Sequence, residues 1–166
     1  MSPFLLMLLQ FSILAYAVVG GVFLAFSDFI MRSLASTPKG AIGMQIINRE
    51  VFRWIFMTLF IALAPLSIMM TAYGFLYVEG YLGFLMTFAG LSYFIGCFGV
   101  TVIHNVPMNN TLAQHAANTA ELTLYWEITY IPRWTFWNNV RTAACIFSAF
   151  LVLIGLTHHI SHKGFD

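Results

Sequence analysis

Residues 54–103 read WIFMTLFIALAPLSIMMTAYGFLYV-EG-YLGFLMTFAGLSYFIGCFGVTVI, and Glu79 is the one charged residue among them. Each flank of Glu79-Gly80 is long enough to cross a hydrocarbon core as a helix, which takes about 20 apolar residues. Two such runs on so short a link predict an antiparallel hairpin of membrane spans, 54–78 and 81–103. Further apolar runs on either side give spans at about 4–27 and 142–160. Composition agrees: 60% of the 166 residues are hydrophobic and 8% charged, where a soluble domain carries about a quarter charged. Mean hydropathy is +0.85. The expected fold is all-α, an integral membrane up-down four-helix bundle forming one domain over 1–166. An amphipathic cytoplasmic segment, about 105–139, should join helices three and four.

The basic residues are unevenly placed. Arg32, Lys39, Arg49 and Arg53 fall between spans one and two, Arg133 and Arg141 lie between three and four or at the start of four, and Lys163 sits on the opposite side. The preference of Lys and Arg for inner loops places the longer connections in the cytoplasm and both termini outside, in a multi-pass plasma (inner) membrane protein. The first span is read as retained, because no Lys or Arg precedes it and its apolar run continues past the cleavage-like Ala15-Tyr16-Ala17. A net charge of +1 without a basic run excludes nucleic acid as a partner. The partners expected are the lipid bilayer, a hydrophobic small molecule, and a second copy of the chain or a membrane-complex subunit. Ala17, Gly21 and Ala25 on helix one, and Ser92 and Gly96 on helix three, predict close helix packing. Pro65 predicts a bend in helix two.

In an alternating bundle several polar residues share one depth. Asp28 and Arg32 end span one, Asn48, Arg49 and Arg53 begin span two, His104 and Asn105 end span three, and Arg141 begins span four. They predict a polar pocket at the cytoplasmic end, roofed by 105–139; alternatively, the charges mark helix ends at the water interface. Asp28 either pairs with Arg32 one turn on or faces inward. A short helix is expected from Pro107 to about Ala120, with Asn105 as its cap or as a ligand contact. Asn109 and Asn110 offer amide donors and acceptors to a bound polar group. Asn109-Asn110-Thr111 also matches a glycosylation acceptor, which a cytoplasmic position leaves unused. Trp126, Tyr130, Trp134 and Trp137 fall along one helical face, either as an interfacial belt or as a stacking wall for a flat aromatic ligand. Asn138 and Arg141 follow at its edge, where a guanidinium can steady an enolate or phenolate.

These stretches resemble the anthrone-oxygenase-like family of small four-helix membrane proteins. The resemblance spans nearly the whole chain. It rests on Phe23 to Val51, with Phe26, Met31, Pro38, Gly43, Met44-Gln45 and Ile47-Asn48, on Asn105 to Asn110, and on Trp126, Tyr130 and Trp134 to Thr142. It implies oxidation of polyketide anthrones to anthraquinones with molecular oxygen and without evident metal or flavin. Carried over, the family pattern falls on Asn48, Asn105, Asn109, Trp134, Trp137, Asn138 and Arg141. Two positions depart from it: Asn139 stands where members commonly have His, and His104 where they have an apolar residue.

The mechanism expected on this basis makes His104 the base that removes an activated phenol proton, with Asp28 the weaker choice, and Arg141 with the Asn amides the holder of the anion. The alternatives are a non-catalytic scaffold subunit of a membrane complex, and a small-molecule binder or exporter component. No cofactor is predicted, and a bound haem, metal or quinone stays open. His158 and His162, with His159 beside them, have metal-ligand spacing, but polar residues leading out of a last helix are common. Cys97 and Cys145 read as packing residues of spans three and four, without a CxxC or other paired-thiol motif.

Overall fold

The computed structural model describes residues 2–53 and 55–163 and consists of helices and short links, without a strand among those residues. Five helices organise it: α1 (Pro3–Ala35), α2 (Gly40–Glu50), α3 (Ile55–Tyr77), α4 (Gly80–Gln114) and α5 (Ala120–Ser161). All but α2 are long and apolar enough to cross a membrane, which makes this a multi-pass membrane protein.

Local sequence sets the helix ends. Ser2 caps α1 by accepting a hydrogen bond from the Leu5 amide at 3.2 Å, with Pro3 in the first turn, where its missing N–H costs nothing. Thr119 caps α5 in the same way through the Leu122 amide, also at 3.2 Å. The link from α3 to α4 works because Gly80 takes φ +75°, a conformation that a side chain would strain.

Contacts between helices pair rising with falling residue numbers. Tyr16 meets Ser67 and Phe23 meets Phe56 across α1 and α3. Gly74 faces Met86 and Gly90 faces Ser67 across α3 and α4. Across α4 and α5, Ala89 meets Ser148, Cys97 meets Cys145 and Asn105 meets Trp134. Each of these pairs of helices is therefore antiparallel. Buried hydroxyls join neighbouring helices within an otherwise apolar core: Tyr16 and Ser67 lie 2.7 Å apart, and the Tyr93 hydroxyl donates to the Phe60 carbonyl at 2.8 Å. Such bonds contribute about 0.6 kcal/mol each between membrane helices.

Close approach falls only partly on the small residues expected from spacing. Gly96 does abut α5, where an added Cβ would lie 2.8 Å from the Ala144 Cβ. On α1, however, Ala17 and Gly21 are exposed, and a Cβ at Gly21 would meet nothing within 4 Å. Gly20 is the position packed against α5, with Cys145 Cβ at 2.9 Å. Between α3 and α4 the tightest approach is at Gly90, where a Cβ would stand 2.3 Å from the Ser67 carbonyl oxygen. Gly90→Val is expected to destabilise the hairpin by about 1–3 kcal/mol or more, measurable as a lower midpoint of unfolding in mixed micelles.

The segment expected as a roof, 105–139, is made of the ends of two long helices, α4 through Gln114 and α5 from Ala120, joined at 115–119. At 1.5 Å per residue, the 35 residues of α4 and 42 of α5 extend about 52 and 63 Å, well past a core of about 30 Å. Both helices project beyond the bundle and meet α2. Pro107 begins no new helix: α4 runs through it after π-helical turns at Ser92–Gly99 and Thr101–Asn105. Further π-helical turns occupy Phe26–Ile30 of α1 and Tyr125–Tyr130 of α5. A second apolar core, including Met31, Met44, Leu112, Leu122 and Trp126, fastens α2 to these extensions. Gln45 adds a polar clamp, donating through Nε2 to the carbonyls of Leu112 and His115 at 2.7 and 3.1 Å. Those carbonyls belong to the end of α4, where intrahelical partners run out.

Candidate functional site

Where α1 ends, α3 begins and the extensions of α4 and α5 leave the bundle, a chamber of about 80 Å³ lies against Arg141. Its walls are mostly apolar, with Phe23 and Phe26 from α1, Met44 and Ile47 from α2, Phe56 and Phe60 from α3, and Trp134 from α5. Polar groups enter at few points: Asn48, Thr101, Asn109 and Arg141. A larger, more polar vestibule of about 360 Å³ lies outside it, lined in part by Gln45, Arg49 and Asn110. Asn48, Phe52, Val106 and Asn109 line both spaces, so Phe52 stands at their junction.

Arg141 is the unusual group, a basic residue only 4% exposed in a membrane helix. Its Nη2 donates to Asn138 Oδ1 at 2.6 Å and its Nη1 to Thr101 Oγ1 at 3.3 Å. The guanidinium carbon lies 4.2 Å from the centre of the Phe23 ring and 5.2 Å from that of Trp134, positions in which ring electrons offset part of the charge. Nε is buried without a hydrogen-bond partner. Among the described residues the ion pairs are Arg32–Asp28, Arg49–Glu50 and Arg53–Glu50, so none reaches Arg141. A buried cation held only by neutral groups is costly, and the chamber beside it suits an anion.

The remaining polar groups form a scaffold around that cation. Asn138 is fully buried and donates Nδ2 to the Phe23 carbonyl at 2.7 Å and to Ser27 Oγ at 2.6 Å. It thereby ties α5 to α1 while its Oδ1 orients Arg141. Asn109 Oδ1 accepts from the Tyr130 hydroxyl at 2.7 Å and from Trp134 Nε1 at 2.9 Å, and Asn48 Nδ2 donates to the Tyr130 oxygen at 3.2 Å. Asn105 is buried, with Nδ2 at 3.4 Å from the Trp134 carbonyl and Oδ1 unpartnered. It caps no helix through its side chain.

The residues singled out by sequence thus divide. Asn48, Asn109, Trp134 and Arg141 line the chamber, Asn110 lines the vestibule, and Asn105, Tyr130 and Asn138 stand behind the wall. His104 and Asp28 belong to neither space. The His104 ring stacks on Trp137 with centroids 3.6 Å apart and planes 4° apart. Asp28 is exposed and pairs with Arg32 at 3.0 Å, while Arg32 Nε also donates to the Asp28 carbonyl. Trp137 leaves the aromatic face as well. Trp126, Tyr130 and Trp134 stack in sequence, with centroids 5.3 and 6.1 Å apart. The next residue at the same interval is Asn138, and a step of three turns Trp137 towards His104.

Phe23 and Thr101 line the chamber and Ser27 stands behind it as a partner of Asn138, and no motif in the sequence marks their roles. Phe23 and Ser27 end span one a turn apart, and Thr101 precedes Asn105 by a turn on α4. This polar spacing inside an apolar run was the available signal. Among the described residues there is no group of three or more His, Cys, Asp or Glu side chains placed to hold a metal. His158 packs edge-on against Tyr81 at 4.9 Å, whereas the side chain of His162, and Asp166, fall outside the described residues.

The family model described as anthrone oxygenase matches residues 49–151, well over half of the chain. That interval includes Asn105, Asn109, Tyr130, Trp134, Asn138 and Arg141. No curated protein and no solved structure matches.

Proposed function

Since the chain belongs to the anthrone oxygenase family, we propose that it is a membrane oxidoreductase that oxidises a lipophilic phenolic or enolic aromatic of the anthrone type with molecular oxygen. The observation that carries this reading is Arg141, a buried cation without a carboxylate partner, set beside an aromatic-lined chamber. Such a group favours the ionised form of a weak acid, and an electron-rich carbanion or phenolate is the form that reacts with oxygen.

The substrate enters from the bilayer or the vestibule, passes Phe52 and lays its ring against Trp134 and Phe23. The chamber alone is smaller than the roughly 300–1,000 Å³ of ordinary ligand sites, so a tricyclic ring extends into the vestibule. Its oxygen meets Arg141, Asn109 and Asn48. No carboxylate or imidazole lines the chamber, so the proton leaves through the vestibule to water while Arg141 holds the anion. Carbon then adds oxygen, and a proton taken back from water through the vestibule completes the hydroperoxide. Loss of water across the C–H and O–O bonds leaves the carbonyl, one oxygen atom ending in the quinone and the other in water.

The test is oxygen uptake by protein purified in detergent and supplied with anthrone-type substrates. The expected result is one oxygen consumed per quinone formed. Saturable binding without uptake would make the protein a binder. His104→Ala is expected to leave turnover largely unchanged, and its loss would return the imidazole to the role of base. Phe52→Trp should raise KM for a tricyclic substrate several-fold with little change in kcat, because it narrows the junction. The charge distribution supports a cytoplasmic position for this end of the bundle. A reporter fused to the C terminus should therefore read outside, and a cytoplasmic reading would invert the topology.

A further inference from the structure

One helical turn deeper than Arg141, the bundle holds two thiols that sequence places 48 residues apart: the Sγ atoms of Cys97 on α4 and Cys145 on α5 lie 3.2 Å apart. Both residues are fully buried. Their meeting is built rather than incidental. Gly96 brings α4 and α5 together there, since a Cβ on it would stand 2.8 Å from the Ala144 Cβ, and Gly20 seats α1 against Cys145, whose Cβ lies 2.9 Å from where its own Cβ would be. Two serines fix the register of α4 against α5: Ser148 Oγ donates to the Ala89 carbonyl at 2.8 Å, and Ser92 Oγ to the Ala144 carbonyl at 3.2 Å. The sulfurs need to close by about 1.2 Å to reach the bonded separation of about 2.05 Å.

We propose that Cys97 and Cys145 form a redox-active dithiol that reduces a small neutral peroxide and closes to a disulfide between α4 and α5. Burial selects the oxidant. Exchange with a protein disulfide requires in-line access to a sulfur, which this core denies, so the oxidant has to be as small and neutral as hydrogen peroxide. Thr101 and Arg141, which line the chamber, each stand one turn from a thiol, Thr101 Oγ1 donating to the Cys97 carbonyl at 2.8 Å. In the step, one sulfur attacks a peroxide oxygen, the O–O bond breaks, and water leaves a sulfenic acid. The second sulfur then forms the S–S bond and displaces a second water. Two electrons pass from the thiols to the peroxide, and both thiol protons end in water. The proposal does not rest on the anthrone reading of the chamber.

The experiment treats the detergent-purified protein with hydrogen peroxide, quenches in acid, alkylates after unfolding, and maps the cysteines by mass spectrometry without reduction. The expected result is an intact mass lower by two hydrogens, thiols closed to the alkylating agent, and a peptide pair joining Cys97 to Cys145 that a small thiol reductant separates. One peroxide should disappear per disulfide. Cys145→Ser should give no such link and leave Cys97 as the sulfenic or a higher oxygen acid. Wild-type thiols that remain alkylatable, oxidise independently, or link only between molecules would overturn the proposal. The readout needs no substrate turnover, so an inactive enzyme with an intact disulfide would separate this claim from the oxidase reading.

Discussion

Arg141→Ala is expected to lower kcat/KM for substrate-dependent oxygen uptake by about 10²–10³-fold, the usual effect of removing a principal stabiliser of developing negative charge. Arg141→Lys should restore little of it. The guanidinium reaches Asn138 and Thr101 with two nitrogens while resting on Phe23, and an ammonium cannot reproduce that planar fork. Stability should move the other way. A buried cation supported only by neutral groups is a net cost, so Arg141→Met is expected to unfold no more readily than the wild type. Loss of turnover together with unimpaired stability would identify Arg141 as a functional group retained at structural expense. A variant that unfolds would instead make it a structural member of the bundle.

Asn109 gives the second large effect, in the opposite balance. Its single carboxamide oxygen accepts from both Tyr130 and Trp134, and Asn109→Leu strands both donors at a cost of about 1–3 kcal/mol each. The extensions of α4 and α5 should then separate, seen as faster proteolysis of the 115–119 link and a lower unfolding midpoint. Asn109→Asp retains the accepting oxygen. It should keep most of the stability and still lose activity, because a carboxylate at the chamber wall competes with the substrate anion for Arg141. Equal activity in Asn109→Asp and wild type would detach the wall amide from the chemistry.

Why some features were legible from sequence and others were not follows from the physics of each. Four spans and the hairpin at Glu79-Gly80 depend on apolar character summed over about 20 residues, a signal that survives local irregularity. Helix ends do not. Polar residues such as His104, Asn105 and Asn109 signal exit from lipid, and that exit looks like the end of a helix, although α4 continues to Gln114. Face assignments suffered from the same local sensitivity. Steps of four residues predict the stack of Trp126, Tyr130 and Trp134, but a step of three carries Trp137 away, and π-helical turns alter the phase further. Gly20 and Gly21 are both small, and only the position of α5 decides which of them is crowded.

The gathering of Asn48, Asn109, Trp134 and Arg141 was accessible because antiparallel helices bring their polar ends to one depth. The chemistry of His104 was not, since its orientation depends on a stacking partner 33 residues later. Nor was the approach of Cys97 to Cys145, which no local spacing encodes. Both depend on the register between α4 and α5, set by serine hydroxyls and glycines of the kind that membrane helices carry for packing alone.

The most direct measurement is an absorption titration of a phenolic anthrone-type chromophore, or of a non-reacting analogue, into the wild-type protein and Arg141→Ala, without oxygen and at a pH where the free phenol is neutral. The account predicts that the wild type binds the ligand with the spectrum of its anion, and that Arg141→Ala binds it weakly and as the neutral form. A neutral spectrum in the wild-type complex, or the same anion spectrum in both proteins, would contradict the assignment of Arg141 as the group that holds the reacting anion.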